Sequence, residues 1–257
     1  MTTQTPFELP YIQNYLTAVS RGDVYRAEPF SAYGRKTTTG ADSGILWPNG
    51  VYALPPAIGV QLSIVSTSAN DSSAGTGVRT VDLHYLDANL VDQIETITLN
   101  GITPVLTVAT NIRFVQCMHM VTYGSGKVAA GTITGSVGAQ SYTEISTGKI
   151  RCSSSIRMVP MGKRLNVTTI YGGSSSGTAA ASTLIELVTA TFGGHDYTAD
   201  SIFFPLGASS FQDNSGGITV DPPMVFTEGQ VFGFRFETDK IAIVTGFWSG
   251  WLEDATN

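Results

Sequence analysis

The chain has 257 residues, a formal charge of −6 and a sequence pI near 5.0, with 14 Lys and Arg against 20 Asp and Glu. So few cations, thinly spread, exclude the positive stripe that a nucleic-acid binder needs to displace phosphate counterions. Charged residues make up 13% of the chain, against about 25% in ordinary soluble domains, so the surface costs little to desolvate against a neighbour.

The N-terminus, Met1 to Pro6, lacks the basic and apolar regions of a signal peptide, and no stretch reaches the ~18 apolar residues of a membrane span. The expectation is a protein made in the cytoplasm, without membrane contact. Residues 1–58 read as an extended, irregular arm that carries aromatics but little charge, with one short helical turn between Leu9 and Ala18. Trp47-Pro48-Asn49-Gly50 reads as a tight turn.

From Gly59 the pattern becomes strand after strand: Val60 to Val65, Val78 to Leu86, Val91 to Leu99, Thr103 to Val108, Ile112 to Thr122 and Gly131 to Val137. Asn70 to Gly77 is a polar loop, Asn100-Gly101 a hairpin-turn dipeptide, and Gly124-Ser125-Gly126 a turn. The pattern pauses at Gly138 to Tyr142. A second series follows, at Ile156 to Pro160, Arg164 to Tyr171, Thr183 to Phe192, Ile202 to Leu206, Val225-Phe226, Val231 to Glu237 and Ile241 to Trp248. Gly172 to Gly177 reads as a small-residue loop and Pro222-Pro223 as a turn. The expected fold is therefore all-β: two β-sandwich, jelly-roll-like modules at 59–140 and 141–257, preceded by the arm at 1–58.

No catalytic centre is legible. There is no Gly-x-Ser-x-Gly elbow to pair a serine with His84, His119 or His195. His84 and His119 fall in predicted strands and would form a two-histidine metal site with Asp82 or Asp87 if those strands pair. Metal-ligand spacing is absent, so hydrogen-bonded histidines in a sheet are the preferred reading, and no metal or cofactor is expected. Asp87 to Asp92 lacks the glycine and the closing Glu of a calcium loop and reads as a turn. Gly75-Thr76-Gly77 has no Gly-Lys-Ser/Thr continuation to make a phosphate loop. Glu95, Glu144, Glu186, Glu228 and Glu237 are available for a glycosidase pair, but nothing selects two of them.

Cys117 and Cys152 lie far apart without CxxC spacing; two buried thiols are the default and a disulfide stays open. The closing run Phe247-Trp248-Ser249-Gly250-Trp251 suits either a packed terminal strand or a sugar-stacking platform, and packing is preferred.

Several segments resemble a recurrent element of tailed-bacteriophage virion structural proteins. They are Ser66 to Val81 continuing through Leu86-Asp87-Ala88-Asn89, and Glu95 to Val105. Around these stand Gly34-Arg35, Trp47 to Tyr52, Ile112-Arg113-Phe114-Val115, Gly124-Ser125-Gly126 and Val159-Pro160-Met161-Gly162-Lys163. Tyr85 departs from the pattern, where a Gly is usual. The resemblance covers about residues 20–170. It implies a virion protein, above all a capsid decoration or cement protein that binds a major capsid protein as a homotrimer. A tail or fibre component with a receptor- or glycan-binding surface is the alternative. The expected contact anchors are Tyr11, Tyr15, Phe30, Tyr33, Trp47, Trp248 and Trp251.

Overall fold

The protein is described by a computed structural model over residues 15–49, 52–176, 181–191, 204–212 and 215–255. Strands are numbered β1 to β16 in chain order, and a single short helix, α1 (Tyr15–Ser20), precedes them among the described residues. The all-β class holds. Among the described residues, four antiparallel sheets carry it.

Sheet I runs β1 (Ala27–Thr37), β16 (Ile243–Asp254), β11 (Lys163–Ser175), β14 (Ser215–Thr227). Sheet II runs β10 (Arg157–Met158), β15 (Gln230–Thr238), β12 (Ser182–Thr191), β13 (Phe204–Gln212), with β2 (Asp42–Ile45) also paired to β15. Their facing side chains, among them Leu165, Val167, Ile185, Phe232, Phe234, Val244 and Trp248, form one core. Sheet III runs β6 (Val105–Leu106), β3 (Ser63–Ser66), β8 (Ile133–Val137), β9 (Gln140–Ile145). Sheet IV runs β5 (Asp92–Thr98), β4 (Val78–Asp87), β7 (Ile112–Tyr123). Between them lies a second core, with Leu62, Ile64, Leu83, Ile97, Met118 and Ile133. A third cluster joins Leu86 and Phe114 of sheet IV to Ile45, Trp47, Tyr52, Ile156, Met158 and Val231, and so welds the two halves.

The stretch expected to be an irregular arm is built into this architecture. β1 pairs with β16 along its whole length, from Ala27↔Glu253 to Thr37↔Ile243, and β2 extends sheet II. Its aromatics lacked periodicity because strand β1 alternates Tyr33 outward with small inward residues, Ala32 and Gly34. A Cβ on Gly34 would strike the Leu46 carbonyl and Ser155, so the glycine is what lets that crossing chain lie against the strand.

β2 and β10 lie along the same edge of β15, one after the other. Residues Asp42–Ile45 face Thr238–Arg235, then Arg157 and Met158 face Phe232 and Val231. Between them the Leu46 amide donates to the Phe234 carbonyl (2.8 Å), and Ser155 closes the seam. Its amide donates to Leu46 O (3.1 Å), its Oγ accepts from the Phe234 amide (3.1 Å), and its carbonyl accepts from Trp248 Nε1 (2.8 Å). Everything from Trp47 to Ser154, sheets III and IV included, thus leaves and returns at one point on sheet II.

Four local expectations are corrected. Asn100-Gly101 does turn, with Gly101 at φ 62°, yet the chain crosses to sheet III, where β6 pairs with β3 and not with β5. The pause near residue 140 is the β8–β9 hairpin, turning at Gly138 (φ 56°), so β9 still belongs to sheet III. Gly172 and Gly173 lie within β11, and Pro222-Pro223 within β14, an edge strand whose register jumps there from Met224 to Thr219. Edge strands and bulges are where sheets accept proline.

The loop Ser66 to Gly77 is organised by Asp71, which is fully buried. Its carboxylate accepts from Ser66 Oγ (2.6 Å) and from the amides of Val78 (2.8 Å), Ala130 (2.9 Å) and Gly131 (2.8 Å). Replacing Asp71 with Ala strands two buried amides, those of Val78 and Gly131, each costing about 1–3 kcal/mol, besides the part-buried amide of Ala130, and is expected to lower the denaturant midpoint sharply. Ser155→Ala leaves the Phe234 amide unpaired, with an expected loss of about 1–3 kcal/mol in the same unfolding measurement.

Candidate functional site

Alternation along sheet I sends Trp248 inward and Phe247 outward, and Ile170 inward and Tyr171 outward. Register then sets Tyr33, Phe247 and Tyr171 side by side across β1, β16 and β11. Phe247 is 37% exposed and Tyr171 42%, while Tyr33 is half-buried. Ser31, Ser249 and Thr169 form the adjoining row on one side, uncharged and polar, and Arg35, Thr245 and Gly173 form the row on the other. One step further along, the outward ring of Trp251 is covered by Tyr15 of α1, with centroids 4.7 Å apart, and its Nε1 donates to Glu253 (3.2 Å).

Of the expected anchors, Tyr15 and Tyr33 keep surface. Phe30 packs on the first core, 5.8 Å from the Trp248 ring. Trp47 is buried edge-on to Tyr52, with centroids 5.5 Å apart, and Trp248 has no exposed surface. Tyr11 lies outside the described residues. A glycan platform on Trp248 and Trp251 would need both rings exposed and flat; one is in the core and the other is 8% exposed under Tyr15, so that platform is lost. Phe247 stood in the sequence only as part of the closing aromatic run, and Tyr171 was not singled out, because only β16–β11 register places the two together.

The polar candidates resolve in the same way. Asp87 Oδ1 accepts from the amides of Asn89 (2.8 Å) and Val91 (3.0 Å), using its carboxylate on its own turn. The amides of Gly75 and Gly77 are taken by Ser72 O and Asn70 O. Glu95 accepts from Val108 and Ala109 amides, Glu144 from Ser146 Oγ, Glu228 from the Gly162 amide, and Glu186 faces Arg235 at 3.7 Å. A cleft of about 630 Å³ lies beside α1, lined by Tyr15, Tyr25, Arg26, Glu253 and Asp254. Its carboxylates are held by cations: Asp254 by Arg26 (3.2 Å) and Lys163 (3.0 Å), Glu253 by Arg164 (3.9 Å).

On the outer face of sheet IV, Asp82, His84 and His119 do come together. Asp82 stands opposite His119, and the two imidazoles lie 4.9 Å apart, centroid to centroid. Burial and then the neighbouring His119 hold the His84 pKa below the usual histidine value. His195 lies outside the described residues.

Cys117 and Cys152 are disulfide-bonded, correcting the expectation of two thiols. Residues 150–152 run beside β7, with Met120 N donating to Ile150 O (2.8 Å) and Cys152 N to Met118 O (2.8 Å), which brings the sulfurs together. Gln116 of β7 adds Nε2 to the Met158 carbonyl (2.6 Å), so the returning chain is fixed to sheet IV before it enters sheet II.

No family model matches the chain, and no curated protein does. Among solved structures it is similar to the infectious bursal disease virus Gt strain at 10% identity, covering 88% of this chain and 72% of that one, with a TM-score of 0.22. The VP2 subviral particle of the same virus aligns at 8% identity over 90% and 77%, with a TM-score of 0.20. The Gx strain aligns at 8% over 90% and 72%, with a TM-score of 0.23. Alignments at these scores carry no argument about fold or function.

Replacing Cys117 and Cys152 with Ser together is expected to reduce stability by about 2–4 kcal/mol in urea unfolding. The unmutated chain, denatured without reductant, is expected to titrate no free thiol.

Proposed function

We propose that this protein is a virion structural component, a capsid decoration or cement protein that sits on a phage head as a homotrimer and meets its neighbours through the outer face of sheet I. The observation that carries the reading is strand order. Counting β2 and β10 as one interrupted strand, the strands of sheets I and II number one to eight in the order β1, β2/β10, β11 to β16. Sheet I is then ordered 1-8-3-6 and sheet II 2-7-4-5, the two sheets of a jelly roll. Sheets III and IV form a second sandwich, inserted in its second strand.

Jelly rolls serve capsid and lectin domains alike, and the fold does not choose between them. Three further features favour a particle. The two longest segments resembling phage virion proteins, Ser66 to Val81 and Glu95 to Val105, contain Asp71 and three residues bonded to it, Ser66, Val78 and Gly101. The charged fraction is 13%, which suits contact with neighbours that offer few compensating charges. The row Tyr33, Phe247, Tyr171 supplies the exposed aromatic surface that interface centres favour. With the Trp248 and Trp251 platform gone, no comparable feature favours the fibre reading.

An antibody raised against the purified chain is expected to label the heads of particles from the source, seen by electron microscopy. Label on tails would overturn the cement reading in favour of a tail component, and absence from particles would overturn both. Light scattering of the purified chain is expected to give three times 27.2 kDa. The Tyr171→Ser, Phe247→Ser double variant is expected to keep its unfolding transition and to bind isolated particles at least about tenfold more weakly, a loss of about 1.4 kcal/mol or more.

A further inference from the structure

We propose that the outer face of sheet IV carries a site for a borderline divalent metal ion such as Zn²⁺, ligated by His84, His119 and Asp82. One ligand atom from each of the three residues lies within 4.8 Å of the other two, close enough for rotamer adjustment to bring them round one ion. The backbone imposes this proximity. Asp82 and His84 alternate with core residues on β4 and so share its outer face, and β4–β7 register sets His119 directly opposite Asp82. His119 Nε2 already stands 3.9 Å from Asp82 Oδ2.

The carboxylate is oriented for the task. Thr96 of β5, the cross-strand neighbour of Asp82 on its other side, donates its hydroxyl to Asp82 Oδ1 at 2.5 Å and leaves Oδ2 toward His119. A hydrogen-bonded partner of this kind is what fixes ligating side chains in metal sites. Two imidazoles and one carboxylate select Zn²⁺, Co²⁺, Ni²⁺ or Cu²⁺ over the oxygen-seeking Mg²⁺ and Ca²⁺. All three residues are half-buried, so an ion has a route in and keeps positions for water. Arg151 continues the row beyond His119 and is exposed, while the carboxylate of Asp92 acts on His84 from the other side. The ion would cross-link β4 and β7 beside the disulfide at Cys117, the residue opposite His84.

The test is titration of the full chain, stripped with EDTA, with Co²⁺ followed by visible absorption and with Zn²⁺ followed by calorimetry. One equivalent is expected to bind. His84→Ala, His119→Ala and Asp82→Asn are each expected to weaken it by at least tenfold, and Thr96→Val, which removes only the orienting hydroxyl, by about tenfold. His195→Ala, altering the remaining histidine, is expected to leave binding unchanged. Absence of saturable binding would overturn the proposal, as would binding that survives the His84→Ala, His119→Ala double variant or disappears in His195→Ala. A measurement on the unmutated chain covers any variant that fails to fold. Co²⁺ is expected to broaden two of the three imidazole NMR signals at one equivalent and spare His195; broadening of His195 alone would overturn the site.

Discussion

The architecture depends on a strand cut in two. Sheet II needs a continuous partner along one edge of β15, and the chain supplies it as β2 and β10, separated by more than a hundred residues. The halves meet only if the inserted segment returns within a few ångströms of its exit, and Ser155 is where that condition is met. It bonds to Leu46 on the outgoing chain, to Phe234 on β15 and to Trp248 on sheet I, all with no solvent to replace a lost partner. Glycines make room at the crossing: side chains on Gly34 or Gly246 would strike Leu46, and one on Gly233 would strike Ile156.

The same geometry ties the inserted segment, with sheets III and IV, to the rest of the fold. Its returning end is fixed by the Cys117–Cys152 bond and by Gln116, and its Leu86 and Phe114 complete a core begun by Trp47, Tyr52 and Ile156. A flexible linker would need none of these. Within it, one buried carboxylate gathers the chain. Ser66, Val78, Ala130 and Gly131 converge on Asp71, whose own carbonyl accepts from the Gly101 amide. Two of the segments that resemble phage virion proteins, Ser66 to Val81 and Glu95 to Val105, therefore meet at one structural feature, while Gly34-Arg35 lies apart in β1 of sheet I.

A strand with local alternation, such as Val78 to Leu86, was legible because burial on one face imposes a two-residue period. β1 was not, since its inward Ala32 and Gly34 are small for reasons of packing against residues far away in sequence. The disulfide was missed for a related cause: it follows from residues 150–152 aligning beside β7, which no spacing encodes. For the metal candidate the residue types were visible, and their alternation allowed a shared face; the β4–β7 register, set by long-range pairing, was the missing fact. For the aromatic row on sheet I, Tyr33 and Phe247 were visible singly, but the row was not, because its three rings come from three strands.

That row also shows how the sheet's outer face is divided. At one end α1 lays Tyr15 over Trp251, and a ring that alternation turned outward is sheltered within the chain. At the other end Phe247, on the same strand and the same face, stays more than a third exposed, with Tyr171 beside it. Identical chemistry on one strand thus meets two fates, decided by the reach of a six-residue helix. A monomer that gained nothing from aromatics at 33, 171 and 247 would be served as well by the Ser and Thr that fill the adjoining row. Large rings there raise the cost of solvent exposure and return it only when another surface covers them.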